Sequence, residues 1–225
     1  MPRIKDFSKQ YTLDELESLS DFVEQELRLS SPIELAWLDA IEIKDLRSDD
    51  NGYWVGKYDR DRQTFTATIY LNSLALGTIE QLKRTLAHEY GHHWTLSYLA
   101  VHHNWGLRIY EERLPRTYYK IRGLSEEHCI YSPQQIRNRD DWMRCDKEII
   151  AEDYRVLFSP HPHNQDHRMV GNLPLIRLSA HPSIREQALN IWRSIQNFFY
   201  TVFKLGISHP DDRVQEYIRN LPTTP

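Results

Sequence analysis

Residues 85–93 read Thr85-Leu86-Ala87-His88-Glu89-Tyr90-Gly91-His92-His93. Around them the apolar positions Ile79, Leu82, Leu86, Tyr90 and onward to Leu96 or Leu99 recur every three or four residues, and Thr78 is a good N-cap. The stretch is therefore predicted to lie inside one amphipathic helix. On a helix, His88 and His92 project from the same face, so two imidazoles can share one metal ion. Zinc accepts neutral imidazole nitrogen at about 2.0–2.1 Å, and a catalytic zinc takes three protein ligands and leaves its fourth position to water. Glu89 follows the first histidine directly. There it stands beside such a water rather than on the metal, where a carboxylate can take the proton and pass it to a leaving amine. His93 points about 100° away from His92 and is expected to pack or support rather than ligate.

N-terminal to this helix, Leu13, Leu16, Leu19, Phe22, Val23 and Leu27 keep helical spacing across residues 12–29. After Pro32 the pattern shifts to short β-prone runs, Ile41–Leu46, Tyr53–Tyr58 and Thr64–Leu71, separated by polar turns. These read as an antiparallel meander, with Asn51-Gly52 as a hairpin turn because both residues tolerate positive φ.

C-terminal to it, residues 100–146 form a long polar and aromatic stretch interrupted by Pro115, Gly123 and Pro133, expected as loops with short helices that cover a site. A second helix is predicted over about Asp146–Phe158. It carries Glu148 and Glu152 on one face. One of them can complete the metal site while the other accepts a hydrogen bond from a ligating imidazole and fixes its tautomer. The alternative is a solvated helix face shared with Lys147 and Arg155. Residues 159–174 read as loop; its His161, His163 and His167 suit either a solvated segment or a cover over the cleft. His163 and Tyr154 are candidate donors to an oxyanion, Tyr154 alternatively being a core aromatic. His102-His103 and His128-Cys129 lack a spacing partner and carry no metal expectation. Ser183 and Glu186 have capping-box spacing and open a third helix with Ile184, Ala188, Ile191, Trp192, Ile195, Phe199 and Val202 on one face. That face needs a partner, expected to be the domain's own core, with a subunit interface as the other reading. Residues 222–225 are expected to fray.

The segment Thr85–His93, preceded by the strand Thr64–Leu71, together with Glu148-Ile149-Ile150-Ala151-Glu152, resembles the ImmA/IrrE-type metallopeptidases of the gluzincin clan. The resemblance covers residues 30–160. It implies that the first glutamate of an E-x-x-A-x motif, here Glu148, is the third ligand to one Zn2+ per chain. Glu152 stands where such proteins often have Asp or Asn. The resemblance further implies that the strand before the motif helix is the sheet edge above the metal, along which an extended peptide pairs. The activity it implies is limited cleavage of a specific intracellular protein, such as a transcriptional repressor.

Composition is compatible with this and excludes several other classes. With 225 residues, 40% hydrophobic and 12% aromatic, the chain can bury one sizeable core. A formal charge of -4 supplies no basic field for a phosphate backbone, so no nucleic-acid partner is expected. No window approaches the ~18 apolar residues of a membrane span, and the N-terminus lacks a secretory pattern. Two cysteines, Cys129 and Cys145, are too few for a disulfide framework and fit a reducing, cytoplasmic setting as buried thiols. The expected architecture is α+β, a small antiparallel sheet packed on the two ligand helices. Residues 1–175 would form the catalytic domain and residues 176–225 a C-terminal helical extension packed on it. The expected partner is a protein or peptide substrate. The alternatives are a protease-type toxin or defence effector with the same chemistry, and a non-catalytic zinc-binding interaction protein with the same fold.

Overall fold

The computed structural model describes residues 2–29, 33–59, 61–62, 64–102, 106–169, 171, 181–203 and 209–223. The chain is mixed α and β: a four-stranded sheet with eight α-helices among the described residues. Strand β1 (Arg3–Asp6) leads to α1 (Leu13–Asp21), which Thr12 caps reciprocally with Glu15 and which runs on as a π turn, Phe22–Leu27. A short α2 (Ile33–Trp37) then enters β2 (Leu38–Lys44), β3 (Gly52–Asp59) and β4 (Thr64–Asn72).

The expectation of a purely antiparallel meander is corrected. The order is β1-β2-β4-β3, with β1 parallel to β2, β2 parallel to β4, and only β3 antiparallel to β4. The physical reason lies in Asn72 at the end of β4. Its side-chain amide donates to the carbonyls of Ser48 (3.0 Å) and Asp50 (2.8 Å) and its oxygen accepts from Leu46 N–H (3.4 Å). This clasp carries residues 45–51 over the end of β4, so β3 lands on the far side instead of folding back on β2. Asn51-Gly52 is accordingly no hairpin turn, and neither residue takes positive φ. Gly52 is needed for close approach instead: a Cβ there would stand 2.7 Å from the Tyr70 carbonyl oxygen. The β3–β4 hairpin does form, its turn held by Asp59 Oδ1 accepting from Asp61 and Arg62 N–H.

Helix α3 (Ile79–His102) is the central element, packing on β3 and β4 and against α6 (Asp146–Phe158). Thr78 caps it through Gln81 N–H at 3.3 Å. Strand β4 alternates as expected, with Phe65, Ala67, Ile69 and Leu71 buried in one core with Leu82, Leu86 and Tyr90 of α3 and Ile150 and Tyr154 of α6. Between α3 and α6 the chain makes short helices: a 3-10 turn Gly106–Tyr110, α4 (Arg116–Arg122), a 3-10 turn Pro133–Gln135 and α5 (Arg139–Trp142).

The C-terminal region divides. Helix α8 (Asp212–Arg219) packs on α4 and α6, Trp94 donates from Nε1 to the Ile218 carbonyl at 2.8 Å, and Leu221 is buried in a 3-10 turn that ends at Thr223, where fraying was expected. Helix α7 (Ile184–Phe203), opened by the Ser183–Glu186 capping box, does the opposite. Its apolar face is exposed and Asn190, Arg193, Gln196 and Asn197 are its half-buried side. The expectation that this face joins the domain core is corrected. Among the described residues no helix is long and apolar enough to cross a membrane.

Candidate metal centre

The site is built on two helix faces that meet. On α3, His88 and His92 are one turn apart with ring centroids 5.0 Å apart. On α6, Glu148 and Glu152 are likewise one turn apart. Glu148 Oε2 lies 3.1 Å from His88 Nε2 and 3.3 Å from His92 Nε2, and the three ligand atoms all fall within 4.8 Å of one another. Ligands bound tetrahedrally at about 2.0–2.1 Å stand about 3.3 Å apart. The group can therefore hold a metal ion with little rearrangement.

Glu152 has the other role. Its Oε2 lies 3.1 Å from His88 Nδ1, on the opposite side of the ring from Glu148. A proton on Nδ1 donates to Glu152 and leaves Nε2 as a lone pair facing the ligand cluster. Arg155 in turn donates to both Glu152 oxygens at 2.8 Å, and to the Gln165 and His163 carbonyls, so the carboxylate is fixed from behind. Lys147 and Arg155, read from sequence as the solvated alternative, are both buried. Lys147 Nζ donates to the Glu112 and Tyr131 carbonyls at 2.5 Å, tying residues 106–145 to α6 beside Glu148.

Charge balance points the same way. Glu89, Glu148 and Glu152 are buried or nearly so; Glu152 pairs with Arg155 and also feels the Arg84 charge, while Glu148 faces the His88 and His92 rings. Buried carboxylates are costly unless cations offset them, and at Glu148 either histidinium or a bound metal ion can do so. Burial by itself would raise the Glu148 carboxyl, but the charges and hydrogen bonds of His92 and His88 hold it well below the usual carboxylate range. Glu152 is held low against burial by Arg155 and His88. His88, despite burial, is pushed up to about 10 by Glu148 and Glu152. Glu89 is the exception: burial raises its pKa, the pull of the two histidines opposing.

The chain matches no protein-family model, no curated protein and no solved structure.

The cleft above the cluster has a volume of 1180 Å³ and includes His88, Glu89, His92, Glu148 and Glu152 in its wall. Asp49–Trp54 form one side; Tyr110 and Ile136–Arg139 with Trp142 form another, so the 100–146 stretch does cover the site. Trp142 lies over His88 with centroids 5.7 Å apart. Nothing in the local sequence distinguishes Trp142 or Tyr110, since both arrive from the long insert. Arg155 had a signal, its i+3 spacing from Glu152.

Three other expectations resolve differently. Tyr154 is fully buried and its hydroxyl donates to the Leu27 carbonyl, so it is a core aromatic. His163 packs edge-on against Phe22 with Nε2 3.3 Å from Glu80, and like Tyr154 it does not line the cleft. His167 pairs with Asp153 at 3.0 Å in a separate cluster with Arg122 and Tyr118. His93 is buried as a support: it lies 2.6 Å from the Glu34 carbonyl through Nε2 and 3.4 Å from Trp54 Nε1 through Nδ1, and burial takes its pKa down to about 4. Glu34, missed in the sequence, also accepts from Tyr90 at 2.5 Å. His102 stacks on Tyr98, and His103 lies outside the described residues.

Strand β4 is an interior strand, paired on both sides, so the expectation that it forms the edge above the metal is corrected. The edge is β3. Gly56 N–H points away from β4 toward the Tyr110 hydroxyl (3.5 Å), and by the two-residue period Gly52 and Trp54 share that direction along the cleft wall.

Proposed function

We propose that this protein is a zinc-dependent peptidase acting on an intracellular protein. The observation that carries the reading is the convergence of His88 Nε2, His92 Nε2 and Glu148 Oε2 beside a buried carboxylate, Glu89, in the wall of the same cleft. A purely structural site needs four protein ligands and no base; three ligands with an adjacent carboxylate suit an open, catalytic position.

His88, His92 and Glu148 would hold the ion, with Glu152 and Arg155 fixing the His88 ring. Bound there, zinc supplies Lewis acidity, polarising a carbonyl and making water acidic near neutral pH. Glu89 accepts the proton of the attacking water and delivers it to the departing amine nitrogen. The outward backbone of Gly52 and Trp54 on the β3 edge can pair with an extended peptide and bring the scissile carbonyl over the cluster. Trp142 covers the His88 ring and limits water on that side. The resemblance at residues 85–93 and 148–152 supports the same class and a regulatory target in the cytoplasm.

The test is comparison of new protein N-termini in cells producing wild type or Glu89→Gln. The reading expects a small set of N-termini present only with the wild type. Identical sets would remove it.

A further inference from the structure

Among the described residues, the apolar face of α7 is exposed along the length of the helix. Ile184, Leu189, Ile191, Trp192, Ile195, Phe198, Phe199 and Val202 are all exposed, from 43% at Ile195 to 86% at Ile184, while Asn190, Arg193, Gln196 and Asn197 on the polar side are half-buried. Within the face, Ile184, Ala188, Ile191, Ile195, Phe198 and Val202 follow a strict 4-3-4-3-4 spacing. That is a 3.5-residue period, the seam of a helix that packs along another helix rather than on a sheet or a flat surface.

The stripe is also symmetric about residue 193. Ile184 stands as far before it as Val202 stands after, and the same holds for Ala188 with Phe198 and Ile191 with Ile195. An antiparallel copy of the helix would therefore set each residue opposite its counterpart, pairing isoleucine with valine, isoleucine with isoleucine, and the small Ala188 with the large Phe198. The helix's three charged residues, Arg185, Glu186 and Arg193, lie outside the stripe, so no like charges meet across it. At roughly 150–250 Å² for an aromatic side chain and less for the aliphatic ones, the exposed face amounts to several hundred Å² per chain. A stable dimer buries about 800 Å² per partner. A lipid surface fits less well, because interfacial helices carry many Lys and Arg on the polar side and α7 has two arginines offset by a glutamate.

We propose that α7 is the interface of a two-fold homodimer, pairing antiparallel with α7 of a second copy about residue 193. The test is sedimentation of the full chain. Wild type is expected as a dimer of the 26.9 kDa chain. The double variant Ile191→Glu, Ile195→Glu puts four carboxylates at the two-fold axis and should halve the mass with unchanged circular dichroism, since both sites are on an exposed face. Orientation is read from cysteines: Ile184→Cys with Val202→Cys together should form a disulfide-linked dimer on mild oxidation, and neither alone should. A wild type that is monomeric at tens of micromolar overturns the proposal, whether or not it sediments with phosphatidylglycerol vesicles. So does a dimer that survives the double glutamate change, or cross-linking by Ile184→Cys alone.

Discussion

Gly91, which lies between His88 and His92, packs directly on the backbone of Ala151, which lies between Glu148 and Glu152. A β-carbon at Gly91 would stand 2.6 Å from the Ala151 carbonyl oxygen and 2.9 Å from its Cα. The two helices therefore touch backbone to backbone at the level of the site. This contact sets the separation at which an imidazole pair and a carboxylate pair can meet a single ion.

Substituting Gly91→Ala is expected to destabilise the chain and weaken metal binding together. In an exposed helix the change would be favourable by about 1 kcal/mol. Here the added methyl meets backbone that cannot rotate away, and overpacking of this kind costs about 1–3 kcal/mol. Thermal unfolding and zinc titration of the variant check both effects; a stabilised variant with full affinity would show that the helices are not in contact at this point.

The two glutamates of α6 are expected to behave differently. Glu148→Ala removes a ligand and should abolish tight zinc binding, whereas Glu152→Ala leaves the three ligands and should weaken affinity by about 10–100-fold through the His88 ring. Arg155→Gln should fall in the same range, since it frees Glu152. Competition titration with a chromogenic chelator ranks the three. If Glu152→Ala proves the more severe change, the ligand and supporting roles must be exchanged.

Proline in β4 should unfold the chain, not select against substrate. Thr66 and Thr68 lie directly opposite Lys57 and Val55, and β4 is paired with β2 as well. Proline removes a ladder donor and is not accommodated in the middle of an interior strand. Circular dichroism of Thr66→Pro and Thr68→Pro reads this. Folded, zinc-binding variants would mean that β4 is an edge after all.

Both cysteines should be inert in the native chain. Burial, with Asp146 adding, pushes the Cys129 thiol up to about 12, and burial with Glu148 raises Cys145 as well. Since the thiolate is the nucleophile, a chromogenic disulfide should react only when denaturant is added, and then with both thiols. Rapid reaction of the folded protein would contradict their placement.

Periodicity located α3, α6 and α7, because a buried helix face writes itself into the sequence at three- and four-residue spacing. It could not reveal that β2 runs parallel to β4, since alternation in Ile41–Ile43 or Phe65–Leu71 is the same for either direction. The decisive residue there is Asn72, a single polar side chain whose partners lie in a loop. At the site, His88, Glu89 and His92 were legible because helical geometry alone brings them together. The shared face of Glu148 and Glu152 was legible too, but their separate roles depend on which side of the His88 ring each meets. Tyr154 and His163 each had two readings, because a sequence does not say which way α6 turns its remaining faces or where the loop after it lies; the structure places both away from the cleft. The apolar stripe of α7 was read correctly as a stripe; that it faces outward is a property of the assembled surface.

The central claim is that His88, His92 and Glu148 hold a zinc ion at which Glu89 moves the proton of peptide hydrolysis. The most direct measurement is cleavage of a mixed peptide pool by purified protein carrying one equivalent of zinc, followed by mass spectrometry, for wild type beside Glu89→Gln with its zinc content measured in the same sample. The account predicts new peptide termini with the wild type and a loss of at least about 100-fold in rate with Glu89→Gln at equal zinc content. Equal cleavage by both proteins, or none by a wild type that holds its zinc, would contradict it.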